Sequence, residues 1–388
     1  MHKWSMRAVV LSLSLLILSP PAVSPAVADM IEAFPQVSPN IVMLVLTMPS
    51  IIMVIFSLVY SKLVRFTARR TLVNTAMICY IIGGVAPAFL DNIYMIILMR
   101  GIFGIGIGFL MPIATGIITD FYDGQDRATM MGWQSAAVNF GGLVFMFGGG
   151  LLAANNWQNT FYIYLIGLAI AIWVFLKLPE PQVAAQEKGI KIKLPLPVIY
   201  QVLGIFVFNM LFFTIMTNSS VMISNEGIGT TSEAGTVLTL FMIGGFGAGL
   251  VFGKTVNIFR RLTTAAGWLF TGAGLLIIGL SYSLIPIAAG AFFAGFGMAT
   301  TMPSFLIKIS TVAPVESVSV AFGFVAVAVG TGQFISPILF DLINRLFNQE
   351  IGRFPIFTSA ILLIVGGIAI AAANLNRNNK GTNETAAT

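Results

Sequence analysis

Residues 99–112 read MRGIFGIGIGFLMP and lie inside a longer apolar run. The run can cross a bilayer as a helix, and Arg100 then lies about 10 Å inside it at 1.5 Å per residue. Gly104 and Gly108 follow Arg100 at steps of four, so all three residues share one face of the helix. Small residues in this spacing let a second helix approach closely, because lipid supplies no hydrophobic drive between helices. The stretch therefore predicts a tightly packed membrane helix that carries one charge, with a kink at Pro112.

The composition places the whole chain in a membrane. Hydrophobic residues make up 57% of its 388 residues and charged residues only 9%, whereas a soluble domain has about 25% charged residues. A single cysteine, Cys79, excludes an internal disulfide, and a single histidine, His2, excludes a histidine metal site or relay. We therefore expect no cofactor and no metal. The net charge of +6 comes from short basic clusters between apolar runs, which indicates membrane topology rather than nucleic-acid binding.

Twelve apolar runs are long enough to be spans. We expect six helices in the first half (1–178), a polar linker at 179–197, six helices in the second half (198–374) and a disordered polar tail at 375–388. The N-terminal run also resembles a signal peptide, but the repeat described below requires it as the first span. The approximate spans are 8–33, 40–63, 71–90, 93–118, 128–153, 159–177, 198–223, 234–256, 263–283, 286–309, 318–343 and 355–374.

Basic residues set the expected orientation. Of the 20 lysines and arginines, all but three fall on the side of the two termini and the linker. Arg100 is embedded, and Arg345 and Arg353 fall on the other side. Since cytoplasmic loops carry the excess of basic residues, both termini and the linker are predicted to be cytoplasmic.

The two halves are sequence repeats. Residues 58–62 (LVYSK) correspond to 250–254 (LVFGK) at an offset of 192, which falls to 191 after a one-residue gap. Two six-helix halves in the same orientation are the parallel repeat of one class of secondary transporter, in which the halves rock about a midplane cavity. The further matches pair Arg69-Arg70 with Arg260-Arg261, Gly104-x-Gly106 with Gly295-x-Gly297, Met111-Pro112 with Met302-Pro303, and Ala137-Val138 with Ala328-Val329.

At these positions the sequence resembles the major facilitator superfamily over nearly its whole length. The resemblance implies an all-α integral membrane fold of twelve transmembrane helices in two six-helix pseudo-repeats. The pattern Arg100-x3-Gly104-x-Gly106-x-Gly108 is similar to the signature of the family's fourth helix. The loop residues Asp126-Arg127-Ala128 and Leu178-Pro179-Glu180 are also typical of it.

Other signatures of the family are altered here. The loop between the second and third spans has Arg69 and Arg70 but lacks the usual acidic residue. The antiporter signature of the fifth span has Phe145-Met146 where the family has Gly-Pro. The second half is nearer the pattern, with these residues: Gly253, Asn257, Arg260-Arg261 and Gly332-x3-Ser336-Pro337.

Arg100 and Asp29 are the leading candidates for substrate binding or coupling. A charge within a span is costly and indicates a function, and the repeat position of Arg100 is Ala291. Asp29 is predicted to pair with Arg100 and to exchange a proton as the protein changes conformation, with Glu32 as a relay. The alternatives are that Arg100 binds backbone carbonyls to hold its helix and that Asp29 is a solvated helix-end residue.

Polar groups on other spans are candidates to line a cavity with few charges. Such a cavity suits a lipophilic or modestly polar small molecule, although each group could equally join neighbouring helices. The candidate substrate residues are Trp133, Gln134, Asn139, Thr217, Asn218 and Gln333.

The sequence favours a monomeric secondary transporter of the cell membrane, with proton-coupled export of a lipophilic molecule first and uptake or facilitated transport of a small organic solute second. It has no nucleotide-binding loop, so an ion gradient is the expected energy source. A membrane enzyme is a third reading, since Asp120, Asp123 and Asp126 resemble a magnesium–diphosphate motif. The second half has no matching acidic cluster, which argues against that reading.

Reporter tags test the topology. Tags at both termini and within 182–193 should report the cytoplasmic side, and a tag within 224–233 the outer side, because of the positive-inside distribution. The measurement is accessibility to a membrane-impermeant reagent. An external N-terminus, or a mature chain without residues 1–28, would contradict twelve spans.

Overall fold

The computed structural model describes residues 3–63, 66–122, 124–177, 195–313 and 318–385, and all regular elements in these ranges are helical. Short 3₁₀ segments join several of the α-helices, at Pro20–Ala26, Ala86–Phe89, Trp157–Leu165 and Arg260–Leu262. The α-helices are α1 (Lys3–Leu15), α2 (Val27–Ala33), α3 (Pro39–Leu63), α4 (Arg69–Val85), α5 (Ile93–Phe121), α6 (Gly124–Ala153), α7 (Ile166–Lys177), α8 (Leu196–Phe212), α9 (Thr214–Asn225), α10 (Thr231–Phe259), α11 (Thr263–Leu280), α12 (Leu284–Val312), α13 (Val318–Phe347) and α14 (Arg353–Thr385).

These helices contain the predicted number of spans. Within the described ranges, eleven stretches are long and apolar enough to cross a bilayer. One of them, Thr231–Leu280, has 50 residues and contains both α10 and α11. Since about 20 residues suffice for one crossing, that stretch accounts for two. The all-α membrane fold predicted from the sequence is confirmed.

Local sequence explains where several helices begin and end. Asn92 precedes α5, and its side-chain oxygen accepts hydrogen bonds from the backbone nitrogens of Tyr94 and Met95 at 2.9 and 3.3 Å, which caps the helix start. Pro112 lies inside α5, and the helix continues past it. The last helix runs to Thr385 and so includes most of the tail for which disorder is predicted. A helix already nucleated by apolar residues adds further turns at low cost, even when they are polar.

The described helices pack into two compact units. The first comprises Met1–Lys191, Ile223–Thr236 and Gln333–Ile338, and the second comprises Ile192–Met222, Val237–Gly332 and Leu339–Thr388. These units reflect packing, whereas the repeat bounds were inferred from sequence matches. The bounds 1–178, 179–197, 198–374 and 375–388 therefore stay a prediction, and most of the linker lies outside the described residues.

Glycines in α5 allow the close helix contacts that their spacing predicts. A Cβ atom added to Gly104 would lie 2.8 Å from the Pro49 carbonyl oxygen in α3, and one added to Gly108 would lie 2.8 Å from that of Met53. Gly106 faces α4 instead, where the same atom would lie 2.7 Å from the Ala76 carbonyl oxygen. The close approach predicted for α5 is confirmed.

The second unit repeats this arrangement. A Cβ atom at Gly295 of α12 would collide with the backbone of α10, and one at Gly297 would lie 2.6 Å from the Gly267 carbonyl oxygen of α11. The equivalent glycines of the two repeats therefore face equivalent helices.

Substituting Gly106 tests this packing. Gly106→Ala should lower the free energy of unfolding by about 1–3 kcal/mol, because the added methyl group forces α4 away. Gly249→Ala in α10 is the matched control, since its Cβ would meet no atom within 4 Å. Thermal unfolding in detergent measures both variants. Equal melting temperatures for the two variants would contradict close packing at Gly106.

Candidate functional site

The first span is interrupted at its midpoint. The helix α1 ends at Leu15 and a 3₁₀ segment begins at Pro20. Proline has no N–H group, so Pro20 and Pro21 cannot donate to the turn that precedes them. Ser19 compensates in part, because its hydroxyl donates to the Leu16 carbonyl oxygen at 2.7 Å. Carbonyl groups at this depth need such donors, because lipid offers none.

Arg100 supplies donors to two of the backbone carbonyls at this depth. Its Nη2 donates to the Pro20 carbonyl oxygen at 2.9 Å, and its Nε donates to the Val45 carbonyl oxygen at 2.9 Å. In an unbroken helix the Val45 carbonyl would accept from residue 49, but residue 49 is Pro49. The guanidinium group therefore takes the place of a backbone donor that α3 lacks.

Aromatic side chains enclose the same point. The Tyr164 hydroxyl donates to the carbonyl oxygens of Ser19 and Pro20 at 3.3 and 3.4 Å, and the Tyr80 hydroxyl donates to the Ser19 hydroxyl at 3.0 Å. The guanidinium carbon of Arg100 lies 4.4 Å from the centroid of the Phe103 ring and 5.3 Å from that of Tyr164. Cation–π contacts of this kind stabilise a desolvated cation.

Sequence reasoning missed the two tyrosines. Both are fully buried, and both lie within apolar runs. A buried tyrosine usually finds a partner for its hydroxyl. The signal was therefore present in the sequence, although it could not identify the partner.

The predicted pair between Arg100 and Asp29 is wrong. Arg100 is fully buried, and it is the single charged side chain among residues whose burial the structure describes as complete or nearly so. Within the described ranges no carboxylate lies within ion-pair distance of it, and its Nη1 has no hydrogen-bond partner. The half-buried Asp29 instead accepts from the Thr231 hydroxyl, which belongs to the same compact unit, at 2.5 Å. Carbonyls that need a donor hold Arg100 in place of a carboxylate.

Other candidates in the first unit join helices to one another. The Gln134 side-chain nitrogen donates to the Thr115 hydroxyl at 3.3 Å, and the Gln333 side-chain oxygen accepts from the Ser50 hydroxyl at 2.9 Å. Asn139 is half-buried. Trp133 is 61% exposed and Glu32 is exposed, so the structure does not bring either of them to Arg100.

The seventh span is interrupted as well. The helix α8 ends at Phe212 and α9 begins at Thr214. This point corresponds, at the offset of 192, to Pro20 and Pro21 of the first span. Interrupted helices at equivalent positions of the two repeats mark the binding region in secondary transporters.

Buried polar side chains surround the break in the seventh span. The side-chain nitrogen of Asn209 donates to the Ile205 carbonyl oxygen at 2.9 Å, and that of Asn218 donates to the Thr217 hydroxyl at 2.8 Å. The Asn218 side-chain oxygen accepts from the backbone nitrogen of Gly352 at 3.2 Å. The Asn218 amide therefore ties α9 to the segment that precedes α14, whereas the Asn209 bond lies within α8.

The remaining motif residues lie at the end of α10, inside α13 or outside the described part. Gly253, Asn257, Arg260 and Arg261 are exposed at the end of α10 and just beyond it, and Pro337 is buried within α13. Asp123 lies outside the described residues, and so do the side chains of Arg69, Asp120, Asp126 and Arg127. Among residues that are described, no group of three or more His, Cys, Asp or Glu residues could hold a metal ion.

A protein-family model and known proteins match this chain. The model described as Major Facilitator Superfamily matches residues 9–231 and 201–387. The hexuronate transporter of Bacillus subtilis is 25% identical over 80% of this chain and 78% of its own length. The multidrug transporter protein MdtP of Bacillus subtilis is 29% identical over 29% of this chain and 21% of its own length, and the quinolone resistance protein NorB of Staphylococcus aureus is 24% identical over 56% and 49%.

Solved structures share the fold. A D-xylose–proton symporter superposes with a TM-score of 0.74 at 15% identity, covering 95% of this chain and 97% of the other. A bacterial homologue of the human lysosomal transporter Spinster gives 0.72 at 15% identity, covering 96% of each chain.

Arg100 acts as a brace, by which we mean its two hydrogen bonds to the backbone carbonyls of Pro20 and Val45. Substituting Pro49 together with Arg100 tests this brace. Arg100→Ala should lower stability by about 1–3 kcal/mol, because a buried carbonyl loses its donor. Pro49→Ala restores an N–H group that can reach the Val45 carbonyl. Arg100→Ala should therefore lower the free energy of unfolding by less in the Pro49→Ala protein than in the wild type. Thermal unfolding of the four proteins gives the coupling free energy.

Transport by the same four proteins separates the two roles of Arg100. If the side chain is only a brace, the stable double variant recovers transport. If it contacts the solute, transport stays lost although stability returns. If the double variant instead loses as much stability as the two single variants together, Arg100 does not replace a backbone donor of α3.

Proposed function

Because this chain belongs to the Major Facilitator Superfamily, we propose that it is a proton-coupled secondary transporter that exports a lipophilic small molecule. One observation carries the choice of solute. Arg100 is the single charge among the side chains described as buried, and backbone carbonyls already hold two of its nitrogens. A protein interior with so little fixed charge suits an apolar or modestly polar molecule, because an ionic solute needs paired charges inside the membrane.

The proton is assigned to Asp29. This half-buried carboxylate accepts from the Thr231 hydroxyl at 2.5 Å. An ionised acceptor makes a stronger bond than a neutral one, so binding a proton weakens this contact between α2 and α10. Proton uptake and a change of conformation are thereby linked at one side chain, with Glu32 one turn away as the relay.

The names of similar proteins support export. MdtP and NorB are a multidrug transporter protein and a quinolone resistance protein, and they align with part of this chain. The matched regions span about a fifth and a half of their lengths. The proposal also places the protein in the cell membrane as a monomer, with both termini in the cytoplasm.

Uptake of a small organic solute is the second candidate. The hexuronate transporter aligns over 80% of this chain, which is more than the drug transporters do. An acidic solute needs a positive partner, and Nη1 of Arg100 is the one nitrogen of that side chain without a hydrogen bond in the described structure. On this reading a rearrangement of the first span exposes Nη1 to the solute.

Substituting Asp29 tests the coupling. Asp29→Asn imitates the protonated acid, so it should keep solute exchange and lose accumulation against a gradient. The measurement is solute flux in vesicles with and without a pH gradient. Asp341→Asn is the matched control, because Asp341 forms an ion pair with the exposed Arg345 at 3.0 Å and should transport normally. If Asp29→Asn still concentrates solute when a pH gradient is applied, Asp29 does not carry the proton and facilitated transport becomes the better account.

A further inference from the structure

An apolar groove opens on the surface of the first unit between α4 and α7. It has a volume of about 390 Å³, within the range of about 300–1,000 Å³ that small-molecule sites occupy. Several of its side chains are strongly exposed although they belong to membrane spans, including Ile78, Ile172 and Phe175. Exposed apolar residues within spans face lipid chains. The lining includes Ile78 of α4 and Ala171, Ile172 and Phe175 of α7.

Arg70 stands at one end of this groove. Its Nη2 donates to the Phe175 carbonyl oxygen at 3.2 Å, and its guanidinium carbon lies 4.9 Å from the centroid of the Phe175 ring. The side chain is exposed, so its other donors face the surroundings. Arg70 is also the first residue of its span, at the depth of lipid phosphates. A planar guanidinium binds a phosphate through two parallel hydrogen bonds.

The second unit has a groove of the same design. An apolar cavity of about 360 Å³ lies between α11 and α14, where Ala273 and Ala371 form part of its lining. It adjoins a cavity of about 430 Å³ that is lined in part by Arg260, Arg261 and Asn374. The two cavities share Phe259 and Leu262. An apolar groove again leads to arginine, here to Arg260 and Arg261.

The two grooves lie between equivalent helices of the repeat, and their linings coincide in part. At the offset of 191, α4 corresponds to α11, and the lining residue Ile78 corresponds to Leu269. Arg70 corresponds to Arg261 at the same offset. Chance does not readily place an apolar groove with an arginine at its end twice at equivalent sites.

We propose that each groove binds an anionic phospholipid, with an acyl chain along the apolar lining and the phosphate at the arginines. The ligand comes from the leaflet on the side of the N-terminus, which the distribution of basic residues predicts to be cytoplasmic. That leaflet is rich in anionic lipid, and basic pockets between membrane helices on that side bind anionic headgroups. The proposal goes beyond the transported solute, because the grooves face the bilayer and Arg100 has no part in them.

Lipid retention by the purified full chain tests the proposal. Native mass spectrometry with added phosphatidylglycerol, and separately with phosphatidylcholine of the same acyl chains, counts the bound lipids. The wild-type protein should retain up to two phosphatidylglycerol molecules and less phosphatidylcholine. Arg70→Gln should remove one of them, and Arg260→Gln with Arg261→Gln the other, with affinity falling about fivefold for each charge removed. Arg70→Lys should retain its lipid more firmly than Arg70→Gln, because the charge remains.

Further variants separate the apolar groove of each site from the arginines at its end. Ala171→Phe and Ala273→Phe fill the grooves without changing charge, so they should release both lipids. Arg345→Gln is the matched control, because it removes an exposed charge at the opposite end of the spans and should not change retention. The proposal is overturned if the protein shows no preference for phosphatidylglycerol or if the arginine variants retain as much lipid as the wild type. It is also overturned if Arg345→Gln loses as much lipid as the arginine variants do, or if free glycerol phosphate displaces the lipid. The arginines are exposed surface residues, so their variants decide the matter even where a filled groove does not fold.

Discussion

The need to satisfy backbone carbonyls inside a membrane is the constraint on which the first unit depends. Pro20 and Pro21 interrupt the first span, and Pro49 removes a donor from α3. Lipid cannot replace the missing hydrogen bonds, and Arg100 donates to the carbonyls of both helices. Gly104 and Gly108 on the same face bring α5 close enough to α3 for that bond. One helix therefore carries both the close packing and the brace.

This arrangement limits what Arg100 can do in transport. Two of its nitrogens are bonded to carbonyls, and aromatic rings lie over its guanidinium group. A charge held in this way stabilises a broken helix and is not free to pair with Asp29. The proposed coupling group consequently lies elsewhere, at the Asp29 carboxylate and its bond with Thr231. Structure and proton movement are assigned to separate side chains.

The repeats share helices and glycine contacts but differ in chemistry. Ala291 occupies the position of Arg100, and the seventh span breaks at Phe213 without a proline. The backbone nitrogen of Phe213 still donates to the Asn209 carbonyl oxygen at 3.1 Å. That break therefore leaves fewer carbonyls without a donor and needs no guanidinium group. Amides and hydroxyls suffice there. The arginine is thus associated with the prolines of the first repeat rather than with the fold as a whole.

Sequence patterns alone predicted the twelve spans, the repeat, the glycine contacts and the family. The spans and the glycine contacts follow from the length of apolar runs and from residue spacing along one helix. The repeat and the family follow from residues that match at a constant offset and from short motifs. Helix packing was needed to identify the partners of Arg100, which lie 55 and 80 residues away along the chain. It was also needed to identify the roles of Tyr80 and Tyr164. A proline in the sequence shows that a carbonyl will lack its donor. Which side chain supplies the replacement depends on how helices pack, because that bond joins segments whose separation the sequence does not fix.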